Sequence, residues 1–363
     1  MTSLLVPTLL VAAGVAVLTV GADLLVRGAA GLAARLGMTP LVIGLTVVAL
    51  GTSLPETAVS IGSAVLGRGE VALGNAVGSN IFNILVVLGG AALIRPLVVN
   101  RQLVRIDLPV MVVTALLVVV VTLDGRLGSV DGAVLLSLGA LYIGWLVWMS
   151  RRFAAGNARD VATVEVPPSD DAPVPMQLVL VAGGAVLLVV GARLLVGGAS
   201  DIARSLGASE LVIGLTVVAA GTSLPEVATS FTAAIRGQRD IAVGNVVGSN
   251  VFNVLIVLGA AGAVAPEAIP VPRGLITFDL PIMVGVSLAC LPIFFTGWAI
   301  SRWEGLLFLG YYVAYLIYLV LHQADHAADD VVRDSILFFA APLTAVTLIM
   351  VAGQQFWRSR KDE

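Results

Sequence analysis

The chain has 363 residues, of which 58% are hydrophobic and 12% charged, and its formal net charge is −3. So little charge excludes a water-soluble globular protein, and the small net charge gives no reason to expect a nucleic-acid partner or a polybasic lipid-binding surface. One cysteine, Cys290, excludes intrachain disulfides. Apolar runs of about 20 residues, each long enough to cross the bilayer core as a helix, predict an all-α polytopic membrane protein whose partner is the lipid bilayer.

The first apolar run is expected to remain in the protein as a span. No basic segment precedes it, and no small-residue cleavage site marks it as a removed signal. Hydropathy and helix breakers then place eleven spans near residues 4–32, 41–66, 70–94, 107–123, 130–149, 177–206, 210–235, 241–264, 278–296, 303–321 and 334–357.

Residues 151–176, between the fifth and sixth spans, are rich in proline and charge, which is typical of a flexible linker. The halves on either side of this linker are related, because Gly21 to Gly89 aligns with Gly191 to Gly259 without a gap. The sequence therefore predicts a first repeat of five spans, a second repeat of five spans, and a final segment with an external loop, an extra span and a cytoplasmic tail, at 1–150, 177–321 and 322–363.

Because five is odd, the second repeat is expected to enter the bilayer from the opposite side, as in many transporters built from inverted repeats. The basic residues indicate the orientation. With the N-terminus outside, fourteen fall on the cytoplasmic side and five on the other, as the positive-inside rule favours. Eleven spans would then put the C-terminus in the cytoplasm, whereas ten would leave it outside.

A polar string interrupts the second span. LVIGLTVVALGTSLPETAVS at 41–60 recurs at 211–230, with 17 of 20 positions identical. Within it, Pro55 and Pro225 each lack an N–H, and the proline ring collides with the carbonyl four residues earlier, so the helix must kink or open. Carbonyls freed inside a membrane are tolerated where protein or a bound ion satisfies them.

The same string puts a glutamate in the middle of each span. A carboxylate there costs several kcal/mol, so Glu56 and Glu226 at equivalent positions predict the core of an ion site. Alternatively, each glutamate could bond a neighbouring helix across a structural kink, but the duplication of the whole string weighs against this reading. Hydroxyl groups within one turn of the glutamates belong to Thr52, Ser53, Thr222 and Ser223.

The third and eighth spans carry a second duplicated motif, GNAVGSNIFN at 74–83 and GNVVGSNVFN at 244–253. A spacing of four places the polar residues of each motif along one helical face. Asparagines in membranes also serve as plain interhelical hydrogen-bonding groups, an alternative that applies most to Asn80 and Asn250, which lie off this face. The residues on the shared face are Asn75, Ser79 and Asn83 in the first repeat and Asn245, Ser249 and Asn253 in the second.

Carboxylate, amide, hydroxyl and carbonyl oxygens are hard ligands, and the two motifs contain neither histidine nor cysteine. This set suits Ca2+ or Na+, and Ca2+ over Mg2+, because a flexible protein cage suits the larger ion. Two ionised glutamates are neutralised by one Ca2+ or by two or more Na+, while an empty site stays charged. The pattern therefore favours exchange over leak.

The paired GTSLPE and GSNxFN strings resemble the alpha-repeats of the calcium/cation antiporter superfamily, most closely prokaryotic sodium/calcium exchangers, over residues 4–321. The resemblance implies a ten-helix exchanger whose first and sixth helices slide across a central site built from the second, third, seventh and eighth. It also implies a set of ligands at Glu56, Glu226, Thr52, Ser53, Thr222, Ser223, Ser79, Asn83, Ser249 and Asn253, with backbone carbonyls at Ala49 and Ala219.

The sequence departs from this family pattern in three places. Some members have aspartate where this chain has Asn253, so the site holds one acid fewer. The span at 334–357 is additional to the usual ten. The linker lacks the large regulatory calcium-binding insert of animal exchangers.

We therefore expect a secondary active antiporter of the cell membrane that moves Ca2+ against Na+ without a cofactor, with one chain sufficient for transport. The alternative is Ca2+/H+ exchange, in which protons take the place of Na+ on the same glutamates. An ion channel is disfavoured by the buried charged site. An intramembrane hydrolase is also disfavoured, because nothing in the amide-rich shell positions a catalytic water, and we expect no enzymatic activity.

Polar residues outside the two motifs are expected to be structural. Asp107 and Asp279 each precede Leu-Pro, an arrangement usual at a helix N-terminus. Capping or interfacial positions are expected for Asp23 and Arg193, and a solvated helix end, rather than a weak divalent-metal site, for His322, Asp325, His326 and Asp329.

Overall fold

A computed structural model describes residues 2–156, 173–207, 219–295 and 298–323 of the chain. Nearly all of these residues are helical. In chain order the helices are α1 (Thr2–Leu36), α2 (Pro40–Thr52), α3 (Leu54–Val65), α4 (Gly69–Ile94), α5 (Leu103–Val121), α6 (Ser129–Gly156), α7 (Val174–Ser205), α8 (Ala219–Gly221), α9 (Leu224–Ile235), α10 (Arg239–Val264), α11 (Leu275–Phe295) and α12 (Arg302–Gln323).

The described ranges contain seven helices that are each long and apolar enough to cross a membrane, namely α1, α4, α5, α6, α7, α10 and α11. Taken together, α2 and α3 meet the same length and composition criterion, with a bend of 47° where they meet. The predicted polytopic helical architecture is confirmed. The start of the predicted span at 210–235, the eleventh span at 334–357, and the group formed by Asp325, His326 and Asp329 lie outside the described residues, and so does the side chain of His322.

Burial separates a central pair of helices from an outer pair. In α10, 94% of the residues in the most apolar stretch are buried, and in α4 the share is 72%. In both α1 and α7 the share is only 33%. The helices that carry the asparagine motifs therefore form the centre of the molecule, and α1 packs against α7 on its outside.

Glycines allow α1 and α7 to approach backbone to backbone. A β-carbon on Gly14 would lie 2.6 Å from the backbone nitrogen of Leu195, and one on Gly184 would lie 2.6 Å from that of Leu25. As residue numbers rise along α1, those of its contacts fall along α7, so the helices are antiparallel. These helices are equivalent in the two repeats, which confirms the inverted relationship.

Two short pairs of strands link the repeats. β1 (Leu97–Val98) pairs antiparallel with β4 (Ala299–Ile300), and β2 (Arg126–Leu127) pairs antiparallel with β3 (Ile269–Pro270). In each pair one strand comes from the first repeat and the other from the second. The hydrogen bonds of each pair therefore fasten a loop of one repeat to a loop of the other.

The fourth and ninth spans begin earlier than predicted, each with a π-helical turn that ends at an aspartate. The expectation that Asp107 and Asp279 occupy ordinary helix N-termini is therefore wrong. Asp107 is fully buried and accepts a 3.4 Å hydrogen bond from the hydroxyl of Tyr142 on α6. Asp279 accepts one of 2.9 Å from Tyr315 on α12. Each aspartate thus ties its own helix to the last helix of its repeat.

Asp23 lies at an interface, as expected. Its carboxylate pairs with Arg27 one turn along α1, at 3.0 Å, and also with Arg236, which directly follows α9. Arg193, its counterpart on α7, is exposed. Asp23 therefore joins an outer helix to the end of a helix that carries one of the two glutamates.

Candidate ion-binding site

The repeated GTSLPE strings form the two helix breaks of the molecule's centre. Ser53 separates α2 from α3 with φ −82° and ψ 9°, and Ser223 separates α8 from α9 with φ −89° and ψ 7°. A proline follows at the start of each new helix, where its missing N–H is not needed. Glu56 and Glu226 then lie in the first helical turn, where unpaired backbone N–H groups favour a negative charge.

Each glutamate is held by the serine at the other repeat's break. Ser223 Oγ donates to Glu56 Oε1 at 3.1 Å, and Ser53 Oγ donates to Glu226 Oε1 at 3.2 Å. Glu56 is 1% exposed and Glu226 is fully buried. The two breaks therefore meet inside the protein, and each carboxylate accepts a hydrogen bond from the other repeat.

Asn75 braces the first glutamate. Its side-chain amide donates to the backbone carbonyl of Glu56 at 3.3 Å and to Ser60 Oγ at 3.0 Å. Its Oδ1 accepts a 3.3 Å hydrogen bond from Thr222 of the second repeat. Because both ends of the amide are engaged with protein, Asn75 positions the glutamate-bearing helix and leaves the ion to other groups.

The equivalent residues repeat most of this arrangement. Thr52 Oγ1 donates to Asn245 Oδ1 at 3.1 Å, and Asn245 Nδ2 donates to Ser230 Oγ at 2.9 Å. Ser60 and Ser230 are not among the site residues predicted from the sequence. Both are identical residues at the end of the duplicated 20-residue string, so the duplication itself contained the signal.

Ser79 and Ser249 reach the same centre from α4 and α10. Ser79 Oγ lies 3.2 Å from Ser223 Oγ, within hydrogen-bonding distance. Ser249 Oγ lies 3.5 Å from Glu226 Oε1, to which it donates, and 3.5 Å from Thr52 Oγ1. The structure therefore brings these predicted site residues into one network with the glutamates.

Several buried oxygens in this centre lack a hydrogen-bond partner among the described residues. They are Oε2 of Glu56, Oε2 of Glu226, and the Oδ1 atoms of Asn83 and Asn253. Asn83 and Asn253 are fully buried, and each begins a π-helical turn, a feature that is frequent at functional sites. Unpaired buried oxygens are costly, and a bound cation would satisfy them.

The backbone carbonyls of Ala49 and Ala219 are the two remaining predicted ligands. Ala49 O accepts a hydrogen bond from the backbone N–H of Ser53 at 3.0 Å, and Thr52 Oγ1 lies 3.3 Å from it. Ala219 begins α8, the first described element after residue 207. Their role as ligands stays a prediction from the sequence.

The chemistry of the centre is that of a hard cation site with limited charge. Its side chains contribute carboxylate, amide and hydroxyl oxygens. In the described ranges no three residues among histidine, cysteine, aspartate and glutamate come together to hold a metal. The negative charge is therefore limited to Glu56 and Glu226, and the remaining oxygens are neutral.

Comparisons with known proteins agree with this architecture. The family described as "Sodium/calcium exchanger protein" matches residues 6–149 and 176–321. A sodium/calcium exchanger of Methanosarcina acetivorans is 31% identical over 355 residues, which cover 84% of this chain and 96% of that protein. A putative antiporter of Alkalimonas amylolytica is 36% identical over 290 residues, covering 79% and 89%.

A solved structure shares the fold. The sodium/calcium exchanger from Methanococcus jannaschii superposes with a TM-score of 0.73 at 33% identity, covering 86% of this chain and 98% of that one.

An inner membrane protein of Escherichia coli (strain K12) is 36% identical over 270 residues, covering 73% of this chain and 82% of that protein. The chain therefore belongs to the sodium/calcium exchanger family of the calcium/cation antiporter superfamily, and it is a multi-pass membrane antiporter and not an enzyme.

Proposed function

We propose that this antiporter exchanges Ca2+ for Na+ by alternating access at a central site built around Glu56 and Glu226. The observation that carries the proposal is the geometry of this pair. Both carboxylates are buried, each accepts a hydrogen bond from the other repeat's serine, and each has one oxygen without a partner among the described residues. Inverted repeats meeting at such a site are typical of secondary transporters.

Charge explains why this site would exchange ions instead of leaking them. An empty site holds two carboxylates in a medium of low polarity, where charge is costly. One Ca2+ or two Na+ neutralise the pair. Movement of the site between the two faces is therefore favoured when it is loaded and penalised when it is empty, which couples the flow of one ion to the flow of the other.

The ligands that we propose for the two ions are shared between repeats. The two carboxylates supply the charge, and neutral amide, hydroxyl and carbonyl oxygens complete a shell of the kind that Ca2+ accepts. The proposed shell consists of Glu56, Glu226, Thr52, Ser53, Thr222, Ser223, Ser79, Asn83, Ser249 and Asn253, with the carbonyls of Ala49 and Ala219.

The proposal also covers the moving helices, the orientation in the membrane and the number of chains. The α1 and α7 helices slide across the centre, with the N-terminus of the chain outside the cell membrane. All proposed ligands come from one chain, so a monomer suffices, and ion movement requires no cofactor. The relatives from Methanosarcina and Methanococcus are named for sodium and calcium, which supports the same ions here.

Ca2+/H+ exchange is the second candidate. The unpaired Oε2 atoms of Glu56 and Glu226 could each take a proton in place of a share of Na+. Protonation would neutralise the empty pair as Na+ does. The two candidates therefore differ in the counter-ion and use the same carboxylates.

A gradient experiment separates the candidates. The purified chain is reconstituted into sealed vesicles, and calcium uptake is driven by an outward sodium gradient while the pH is clamped equal on both sides. Sodium/calcium exchange gives uptake that stops when the sodium gradient is removed. Uptake that needs a pH gradient and ignores sodium would overturn the sodium proposal in favour of proton exchange.

A further inference from the structure

Asn83 and Asn253, the asparagines predicted to bind the ion, make different contacts, although the motifs that contain them match. Asn253 Nδ2 donates to Asn80 Oδ1 at 3.1 Å, which leaves Asn253 Oδ1 without a partner. In the first repeat the equivalent contact would join Asn83 to Asn250. Neither polar atom of the Asn83 side chain has a partner among the described residues, and neither does Asn250 Oδ1.

Asn80 orients Asn253 through a chain of hydrogen bonds. While its oxygen accepts from Asn253, its own amide donates to the backbone carbonyl of Asn250 at 3.1 Å. Both ends of the Asn80 side chain are therefore engaged, so the donating and accepting ends of Asn253 are also fixed. The donor of Asn253 points to Asn80, and its carbonyl oxygen is left for an ion.

Asn250, the counterpart of Asn80 in the second repeat, makes different contacts. Its amide lies 3.5 Å from the thioether sulfur of Met111 on α5, and a thioether is a weak acceptor. Asn80 lies 3.7 Å from Met283, the residue of α11 that corresponds to Met111. All four side chains are at most 3% exposed. The two repeats thus contain the same parts, but only one has its asparagine pair engaged.

We propose that Asn80 and Asn250 are positioning residues that orient the site amides Asn253 and Asn83 in alternation. In the state described here, Asn80 holds Asn253 and Asn250 rests on Met111. Because the site motifs are nearly identical in the two repeats and the repeats have opposite orientations, exchanging their conformations gives an equivalent state that faces the other side of the membrane. In that state Asn250 holds Asn83, and Asn80 is left with the sulfur of Met283.

One site amide is therefore oriented in each state. It is the amide of Asn253 in the state described here and that of Asn83 in the exchanged state. The oriented amide presents its oxygen to the ion, whereas the unheld amide has no fixed direction. The inference rests on the proposed function, because it assigns a role to these residues in exchange at that site. It adds two residues that lie off the face shared by the expected ligands.

Transport measured separately from each face tests the inference. The full chain and its variants are produced in cells, and right-side-out and inverted membrane vesicles are prepared from them. The apparent KM for radioactive calcium is then measured at each face under a sodium gradient. We expect Asn80→Ala to raise the KM roughly tenfold at one face, as for loss of one orienting hydrogen bond, and Asn250→Ala to do so at the opposite face.

A second pair of variants preserves side-chain volume, so it decides the question even if the alanine variants do not fold. In the engaged repeat the Asn80 amide lies closer to the Asn250 carbonyl, at 3.1 Å, than to the Met283 sulfur, at 3.7 Å. Met111→Leu removes the acceptor that competes with the backbone carbonyl of Asn80 for the Asn250 amide, so it should lower the KM, by about twofold for a weak acceptor, at the face where Asn250→Ala raises it. Met283→Leu should do the same at the other face. If Met111→Leu and Met283→Leu act at the same face, or at neither, the inference is wrong.

The wild-type protein separates failure of this inference from failure of the proposed function. If wild-type vesicles show no sodium-driven calcium transport at either face, the proposed function falls and the inference falls with it. If the wild type exchanges the ions but both asparagine variants act equally at the two faces, or at neither, the inference alone is overturned.

Discussion

The central helices and the outer helices of this antiporter are built on opposite principles. In α4 and α10 most of the apolar stretch is buried, and these helices hold a network of amides, hydroxyls and carboxylates. In α1 and α7 only 33% of the stretch is buried, and the helices meet through glycines. The centre is specified by directional hydrogen bonds, whereas the outer contact is built on close backbone packing at glycines.

The two kinds of contact restrain the helices to different degrees. Hydrogen bonds have preferred lengths and angles, so a network of them fixes the positions of ligands. A glycine face has no side chains that interlock, so two helices can shift along it at low cost. We therefore propose that the centre provides selectivity and that the outer pair provides movement.

Neutralising the central charge should have the largest effect. Glu56→Gln and Glu226→Gln keep side-chain size but remove one of the two charges that balance Ca2+, and breaking such a buried charge arrangement costs about 3–5 kcal/mol. We expect sodium-driven calcium uptake to fall by a factor of at least roughly a hundred in each variant. Glu70→Gln, at an exposed position on α4, serves as the control and should transport normally.

Removing a cross-repeat serine should have the next largest effect. Ser53→Ala and Ser223→Ala each remove a hydrogen bond to a buried carboxylate, which is worth about 1.5–3 kcal/mol. Calcium affinity, measured by equilibrium binding, should fall roughly tenfold to a hundredfold and to a similar degree in both variants. Ser137→Ala alters an exposed serine on α6 and should leave affinity unchanged. An effect in only one serine variant would show that the carboxylates are not shared symmetrically.

Filling the outer glycine contact should slow transport without weakening binding. A β-carbon on Gly184 would lie 2.6 Å from the backbone of α1, whereas one on Gly183 meets no atom within 4 Å in the described structure. Overpacking costs about 1–3 kcal/mol. Gly184→Ala should therefore reduce turnover roughly tenfold with unchanged calcium affinity, and Gly183→Ala, which gains the same helix propensity, should behave as wild type.

The ion pair between the two regions should have the smallest effect. Arg236→Gln removes one of the two arginine partners of Asp23 and leaves Arg27 in place, and a partly exposed pair contributes about 0–1 kcal/mol. Turnover should change by no more than about fivefold, and the change should shrink as salt concentration rises. Arg204→Gln, which alters an exposed pair within α7, should leave turnover unchanged. If Arg236→Gln changed turnover more than Gly184→Ala does, the outer pair would be restrained mainly by charge.

The sequence was most informative where the duplication fixed both the residue type and its position. Glu56 and Glu226, with the breaks before them, followed from a polar string repeated inside apolar spans. Asn75 and Asn245 were placed on the correct face, but the structure shows that they brace protein groups. Spacing along one helix identifies a face, and it does not reveal which partner on another helix occupies an amide.

Other features depend on long-range geometry that one sequence does not encode in a local pattern. The π-helical turns that end at Asp107 and Asp279 extend each helix to a point before its Leu-Pro sequence, so the predicted helix starts were too late. The spacing of Gly14, Gly21 and Gly28 is visible in the sequence, but its meaning depends on knowing that α1 faces α7. The unequal contacts of Asn80 and Asn250 could not be predicted at all, because the two residues lie in nearly identical local sequences.

The most direct test of the account is the location of the ion. Crystals soaked in calcium should show one peak of anomalous scattering bonded to both Glu56 and Glu226, and a sodium soak should remove it. A calcium peak that contacts only one of these carboxylates, or that lies elsewhere in the protein, would contradict the claim that inverted repeats share a single charged site.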